Sequence, residues 1–188
     1  GGIDISYDGG LTWDVVTSLA TAQAYSVSAD FDRPYHVFIG LQDNGSWRGP
    51  SSKRGRNGIL NSDWFKLPCI GDGFVTAVNR EHPEIAYCEG QDGNAERVDL
   101  ATGRTANIDP LSGPVMREPP PACDDGRDSN SPRLLRRGGP RTVVNAKPGD
   151  VYRFNWQTPF ILSPQNPDVV LLGGNRLFRS LDGGDSWT

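Results

Sequence analysis

The octapeptide Ser6-Tyr7-Asp8-Gly9-Gly10-Leu11-Thr12-Trp13 returns near the far end of the chain as Ser180-Leu181-Asp182-Gly183-Gly184-Asp185-Ser186-Trp187. The shared pattern is Ser-x-Asp-x-Gly-x-(Ser/Thr)-Trp, and its residue types predict a hairpin connection. Tyr7 or Leu181 ends one strand, and Trp13 or Trp187 begins the next. The paired glycines supply positive φ where the chain reverses. A short carboxylate at Asp8 or Asp182 accepts backbone N–H bonds from the turn, and the hydroxyls close the remaining ones. The indole covers the turn with a large apolar face. Ser6, Asp8, Gly10, Thr12 and Trp13, with Ser180, Asp182, Gly184, Ser186 and Trp187, therefore each have a structural task. The pattern points to a turn lock rather than to catalysis.

This octapeptide resembles the Asp-box, or bacterial neuraminidase repeat. The resemblance implies a β-propeller blade, with the motif at the outer rim and the ligand site on the opposite face.

Composition agrees with many short strands. Glycine (23) and proline (15) are abundant in 188 residues, whereas methionine occurs once, a density of turn formers that disfavours long helices. The net charge is −4, and the arginines are scattered. No nucleic-acid footprint is therefore expected, and no apolar run has the length of a membrane span. The chain begins inside a hairpin, so the absence of a signal peptide carries no information, and the sequence reads as a fragment of a larger protein. Cys69, Cys88 and Cys123 fit no metal spacing. Cys88 lies in an apolar strand and is expected as a buried thiol. Cys69 and Cys123 fall in connections, so the odd count leaves one disulfide among the three open.

A weaker repeat runs between the two octapeptides. Segments 24–29, 73–78 and 159–163 each lead through a proline turn (Pro34, Pro83, Pro167) into a second strand at 35–40, 84–88 and 168–173. Pro34 and Pro83 are 49 residues apart, close to one four-stranded propeller blade. The expected class is all-β, a partial β-propeller of four-stranded antiparallel blades with Asp-box hairpins. Residues 1–17 would end one blade, 20–68 and 73–108 would be complete blades, and 151–188 an incomplete one. Residues 109–150, with little apolar periodicity, read as a loop insertion. The stretch 98–105 takes the place of the octapeptide in the second blade, keeping Gly103 but losing the Ser and Trp. Closure would need the remaining blades of a longer chain as partners.

Four further stretches sharpen the resemblance. Gly40-Leu41-Gln42-Asp43-Asn44-Gly45-Ser46-Trp47-Arg48-Gly49-Pro50, Gly71-Asp72-Gly73-Phe74, Tyr152-Arg153-Phe154-Asn155-Trp156-Gln157-Thr158-Pro159 and Gly173-Gly174-Asn175-Arg176-Leu177-Phe178-Arg179-Ser180 are similar to signatures of large bacterial sortilin-like propeller proteins. These are often labelled BNR-repeat glycosyl hydrolases, a label that is itself an analogy of fold. The likeness spans most of the chain except 109–148. It implies an extracytoplasmic (secreted or periplasmic) location and no cofactor.

In such a blade the second-to-third turns and the inter-blade connections share one face, where ligands bind. That mapping gathers Gln42, Asp43, Asn44, Asp72, Gln91, Asp92, Asn94, Asn175 and Arg176. Amides and carboxylates hydrogen-bond sugar hydroxyls or peptide backbone, although Asp43-Asn44-Gly45 and Asp92-Gly93-Asn94 are also good turn sequences. The leading expectation is a non-catalytic platform for a peptide or glycan. The alternative is a xyloglucanase-like glycoside hydrolase using Asp43, Asp72 or Asp92, whose carboxylates must lie about 5–5.5 Å or 6.5–9.5 Å apart. Asp43 and Asp92 resemble the Asp-x-Gly-Gly loop position of xyloglucan-cleaving propellers, but the Gly-Gly is missing. A structural scaffold is the third reading. Arg153, Asn155 and Gln157 alternate with Phe154 and Trp156, a period of two that predicts an innermost strand. Asp124, Asp125 and Asp128 lack the spacing of a calcium loop, so no metal is expected. His36 and His82 read as isolated surface or packing residues, and 133–137 as a solvated basic stretch.

Overall fold

The computed structural model describes residues 3–16, 21–69, 71–110, 142–147 and 149–188. The architecture is all-β, with four antiparallel sheets in which every strand pairs with its neighbour in sequence. β1 (Ile3–Ile5) and β2 (Asp14–Val16) form a hairpin. β3 (Ala24–Ala29), β4 (His36–Leu41), β5 (Gly45–Pro50) and β6 (Phe65–Lys66) make a four-stranded sheet. A second contains β7 (Thr76–Val78), β8 (Ile85–Glu89), β9 (Ala95–Asp99) and β10 (Thr105–Asn107). β11 (Phe160–Leu162), β12 (Val170–Gly173) and β13 (Leu177–Ser180) form the last. Among the described residues no helix is long and apolar enough to cross a membrane.

The three larger sheets pack face to face in chain order, because the middle one is apolar on both sides. Along β8 the side chains alternate. Ala86 and Cys88 join Phe38, Leu67, Cys69, Val78 and Val98 in a core against the 24–66 sheet. Tyr87 points the other way, into a core with Ala95, Ile108, Phe160, Val170, Leu172, Phe178 and Trp187. Each fully buried Phe or Leu contributes about 1.5–3 kcal/mol by leaving water. At the inner strands, β3 meets β7 through the Ser28 and Thr76 hydroxyls, 2.9 Å apart. The Ser26 hydroxyl also donates to the Phe74 carbonyl.

Both octapeptides close on the same bonds. Ser6 Oγ donates to Asp8 Oδ1 (2.9 Å) and accepts Gly10 N–H (2.7 Å). Asp8 Oδ1 accepts Thr12 N–H (2.9 Å), and Oδ2 accepts the Thr12 hydroxyl (2.6 Å). In the second copy, Asp182 accepts Ser180 Oγ at 2.7 Å, Ser186 N–H at 2.9 Å and the Ser186 hydroxyl at 2.6 Å. Gly184 N–H bonds Ser180 Oγ at 2.8 Å. The Thr12 hydroxyl is the main cause holding the Asp8 carboxyl down at about 2. The β9–β10 turn does without Ser and Trp. There Asp99 Oδ1 accepts Ala101 and Thr102 N–H groups at 2.9 and 3.0 Å, and Gly103 takes φ 71°.

Several expectations are corrected. Cys88 is not a thiol: it is disulfide-bonded to Cys69, with Cα atoms 6.0 Å apart and both side chains fully buried. Residues β6 and β8 bring into one core gave no sequence signal for that pairing. Cys123, Asp124, Asp125, Asp128 and 133–137 lie outside the described residues. The 153–157 stretch is not a strand. The innermost strand is β11, and alternation misleads because Phe154 packs on Gly93 and Phe178 across the sheets. Val143, assigned with 109–150 to a loop, enters the core and bridges Trp187 in parallel. His36 is not isolated, since its Nδ1 lies 2.7 Å from the buried carboxylate of Asp30.

Candidate functional site

The loops at one end of the sheets are stitched to one another by backbone. Asp43 N–H donates to Asp72 Oδ1 at 2.6 Å. Gly45 N–H reaches Gly71 O at 2.8 Å, and Gly73 N–H reaches Leu41 O at 2.9 Å. The crossing leaves no room for side chains, because a Cβ on Gly73 would meet the Gly45 carbonyl. The Gln91 amide lies against Gly71. Beyond it, Asp92 N–H donates to Trp156 O at 3.2 Å, and Asn175 N–H to Arg153 O at 2.8 Å. The 42–45, 71–73, 91–94, 153–156 and 174–176 segments thus form one continuous surface.

Its members divide into anchors and uncommitted groups. Asp72 is buried, with Oδ1 taken by Asp43. Asn175 uses both ends of its amide, accepting Arg153 N–H at 3.0 Å and donating to Val151 O at 3.0 Å. Arg176 grips Asp150 with two nitrogens (3.1 and 2.7 Å) and lies over the Tyr152 ring. The Arg176 hydrogen bond is the main cause lowering the Asp150 carboxyl. Asn44 donates from its side-chain amide to Gln42 O at 2.9 Å, and its backbone carbonyl accepts Trp47 Nε1–H at 2.8 Å. Asn94 accepts from Asn107 at 3.3 Å. Asn175 and Arg176 therefore fix the 150–153 segment.

Gln42, Asp43, Gln91 and Asp92 remain. None of these four side chains has a hydrogen bond or ion pair among the described residues. Both aspartates adopt the left-handed region, φ 60° at Asp43 and 58° at Asp92, and they alone do so among the described non-glycine residues. Asp tolerates that region, at a cost, because its short side chain can satisfy nearby backbone. Two adjacent sheets thus present the same Gln-Asp tip in the same strained geometry.

An aromatic row between these tips was not identified as a site from sequence. Tyr25 and Phe74 have ring centroids 4.9 Å apart, and Phe74 meets Trp156 edge-on at 6.5 Å. Phe74 is buried, but Trp156 is 58% exposed and Tyr25 is exposed. Burial, then the charges of Asp72 and Asp43, push the Tyr25 phenol up. The signal in the sequence was an unexplained Trp beside a candidate loop.

Glu89 was missed as well. Fully buried, it points from β8 to the third sheet and accepts Thr158 N–H at 3.1 Å and Val75 N–H at 3.5 Å. Burial raises its carboxyl to about 7, against the lowering effect of those two bonds. Elsewhere, Asp30, Asp32 and His36 bring potential metal-ligand atoms within 4.8 Å of one another. No protein-family model matches the chain, and no curated protein is found similar to it.

Proposed function

We propose that the chain is part of an Asp-box β-propeller of the sortilin-like type, acting outside the cytoplasm as a non-catalytic platform for a glycan. The propeller reading draws support from consecutive antiparallel meanders stacked through shared cores, and from the bonds that the two octapeptide turns have in common. The buried Cys69–Cys88 disulfide suits an oxidising compartment. One observation carries the binding reading. The uncommitted Gln42-Asp43 and Gln91-Asp92 tips flank exposed Tyr25 and Trp156 rings on one surface. Amides and carboxylates pair with sugar hydroxyls, while rings offer apolar faces to the sugar's C–H groups. Carboxylates without cations also favour a neutral or basic ligand over an acidic one.

A mixed glycan and peptide array probed with the full chain tests this. Neutral glycans should bind, and Asp43→Asn, Gln91→Ala and Trp156→Ala should each weaken binding by about tenfold or more. Exclusive binding of basic peptides would make the platform a peptide receptor. Silence on both arrays would leave a scaffold. Release of reducing ends during incubation, lost in Asp43→Asn or Asp72→Asn, would instead mark the glycoside hydrolase.

A further inference from the structure

At the opposite end of β4 and β5 from these tips lies a cavity of about 280 Å³, lined by His36, Arg48, Gly49, Pro50, Lys53, Asp63 and Phe65. β4 and β5 pair along six residues, His36 opposite Pro50 and Leu41 opposite Gly45. The cavity is therefore roughly 17 Å from the Gln-Asp tips at the rise of a strand. It is a separate site.

Its charges are unequally matched. Lys53 Nζ sits 2.5 Å from Asp63 Oδ1, and Leu60 N–H takes Asp63 Oδ2 at 2.8 Å, so this carboxylate is fully engaged. His36 Nδ1 is held by Asp30 at 2.7 Å, which leaves Nε2 without a partner among the described residues. Arg48 has no hydrogen bond or ion pair among the described residues. Its guanidinium lies 5.8 Å from the centre of the Phe38 ring, and its Nε is buried with no acceptor. A buried, unanswered guanidinium donor is costly, on a group whose planar fork matches carboxylate and phosphate oxygens. Register brings Phe65 opposite Arg48, so an apolar ring stands beside the cation.

We propose that this cavity binds an oxyanion, a carboxylate or phosphate, carried by a small ligand about the size of one monosaccharide. Arg48 supplies donors from its terminal Nη groups, which are not buried as Nε is, Lys53 and His36 border the charge, and Phe65 and Pro50 flank the ligand body. The volume lies at the lower limit of small-molecule sites, which excludes a polymer chain from the interior.

The test is titration of the full chain at low ionic strength with acetate, inorganic phosphate, glucuronate and glucose 6-phosphate, with glucose as the neutral control. The readout is the Arg48 Nε–H resonance together with calorimetry. At least one anion should bind and move that resonance while glucose does neither. The better of glucuronate and glucose 6-phosphate distinguishes a carboxylate from a phosphate source. Arg48→Met should weaken binding by about tenfold or more, yet melt no lower than the parent without ligand, since it removes an unanswered donor. Phe65→Ala should weaken the sugar acids and leave acetate and phosphate unchanged. Failure of every anion to move the Arg48 resonance, or equal binding by glucose, overturns the proposal. So does an Arg48→Met chain that binds like the parent.

Discussion

Glu89 concentrates the electrostatics of the interior in one carboxyl. Among the described residues it has no cation partner, only two backbone N–H donors, so burial dominates and its proton is held to about 7. In the unfolded chain the same group ionises near its ordinary value of 4.5. Between those values the folded state binds more protons than the unfolded one, and stability must fall as pH rises through that window. The full effect is on the order of 3 kcal/mol. Glu89→Gln keeps an acceptor for Thr158 and removes the titration. Its unfolding free energy, measured by urea denaturation at pH 4.5 and 7.5, should change much less with pH than the parent's. Equal pH slopes in the two proteins would sink the assignment. Asp8 acts in the opposite sense and in another window: with its carboxyl lowered to about 2, its contribution is present above pH 3.8 and lost as pH falls through 2.

At the scale of elements, the two octapeptide turns share their bonds but not their surroundings. Asp182 sits in a turn whose Gly183 carbonyl accepts Arg97 Nη1–H at 3.1 Å, and whose Asp185 pairs with Arg97 at 2.9 Å. A Cβ on Gly184 would strike Ile108 at 2.8 Å, so this turn is docked on the 76–107 sheet. The Asp8 turn is exposed from Tyr7 to Trp13. Asp182→Ala removes three charge-assisted bonds in a docked turn and should cost about 2–4 kcal/mol. Asp8→Ala should only loosen its own hairpin and leave the global melting temperature unchanged. Thermal melting of both variants, with amide exchange at Gly10 and Gly184, separates the two outcomes. The turns were legible because their bonds are local, spanning four residues, and so were the strands flanking Pro34, Pro83 and Pro167. What lies between the sheets was not. The Glu89–Thr158 bond spans 69 residues, and the Phe154 packing that defeats the predicted strand at 153–157 depends on Gly93. In the candidate site, Asp43 and Asp92 were legible as turn residues. The pairing of Arg176 with Asp150 was not legible, because Asp150 lies in a stretch without periodicity.

Across the described molecule, the three larger sheets stack because the middle one offers two apolar faces, and the tryptophan that ends the repeated octapeptide takes part in that stacking. Trp187 is 0% exposed and donates from Nε1 to the Ile108 carbonyl at 2.9 Å, capping the core between the second and third sheets. Trp13 holds the same position in its octapeptide and is 61% exposed, alongside Tyr7, Leu11 and Val15. Among the described residues one indole has a neighbouring sheet and the other does not, although their turns share most of their bonds. If the octapeptide serves to dock each sheet on the preceding one, as in the proposed propeller, the β1–β2 hairpin is shaped for a neighbour of the same kind. Trp187→Ala should then cost about 3–5 kcal/mol, the loss for a large aromatic from a packed core. Trp13→Ala should be nearly neutral in this chain. Paired denaturant curves, read with indole fluorescence maxima that are blue-shifted for Trp187 and water-like for Trp13, measure the contrast. Equal losses for the two variants would mean that the first hairpin is already docked, and that the octapeptide does not owe its stabilising effect to an adjacent sheet.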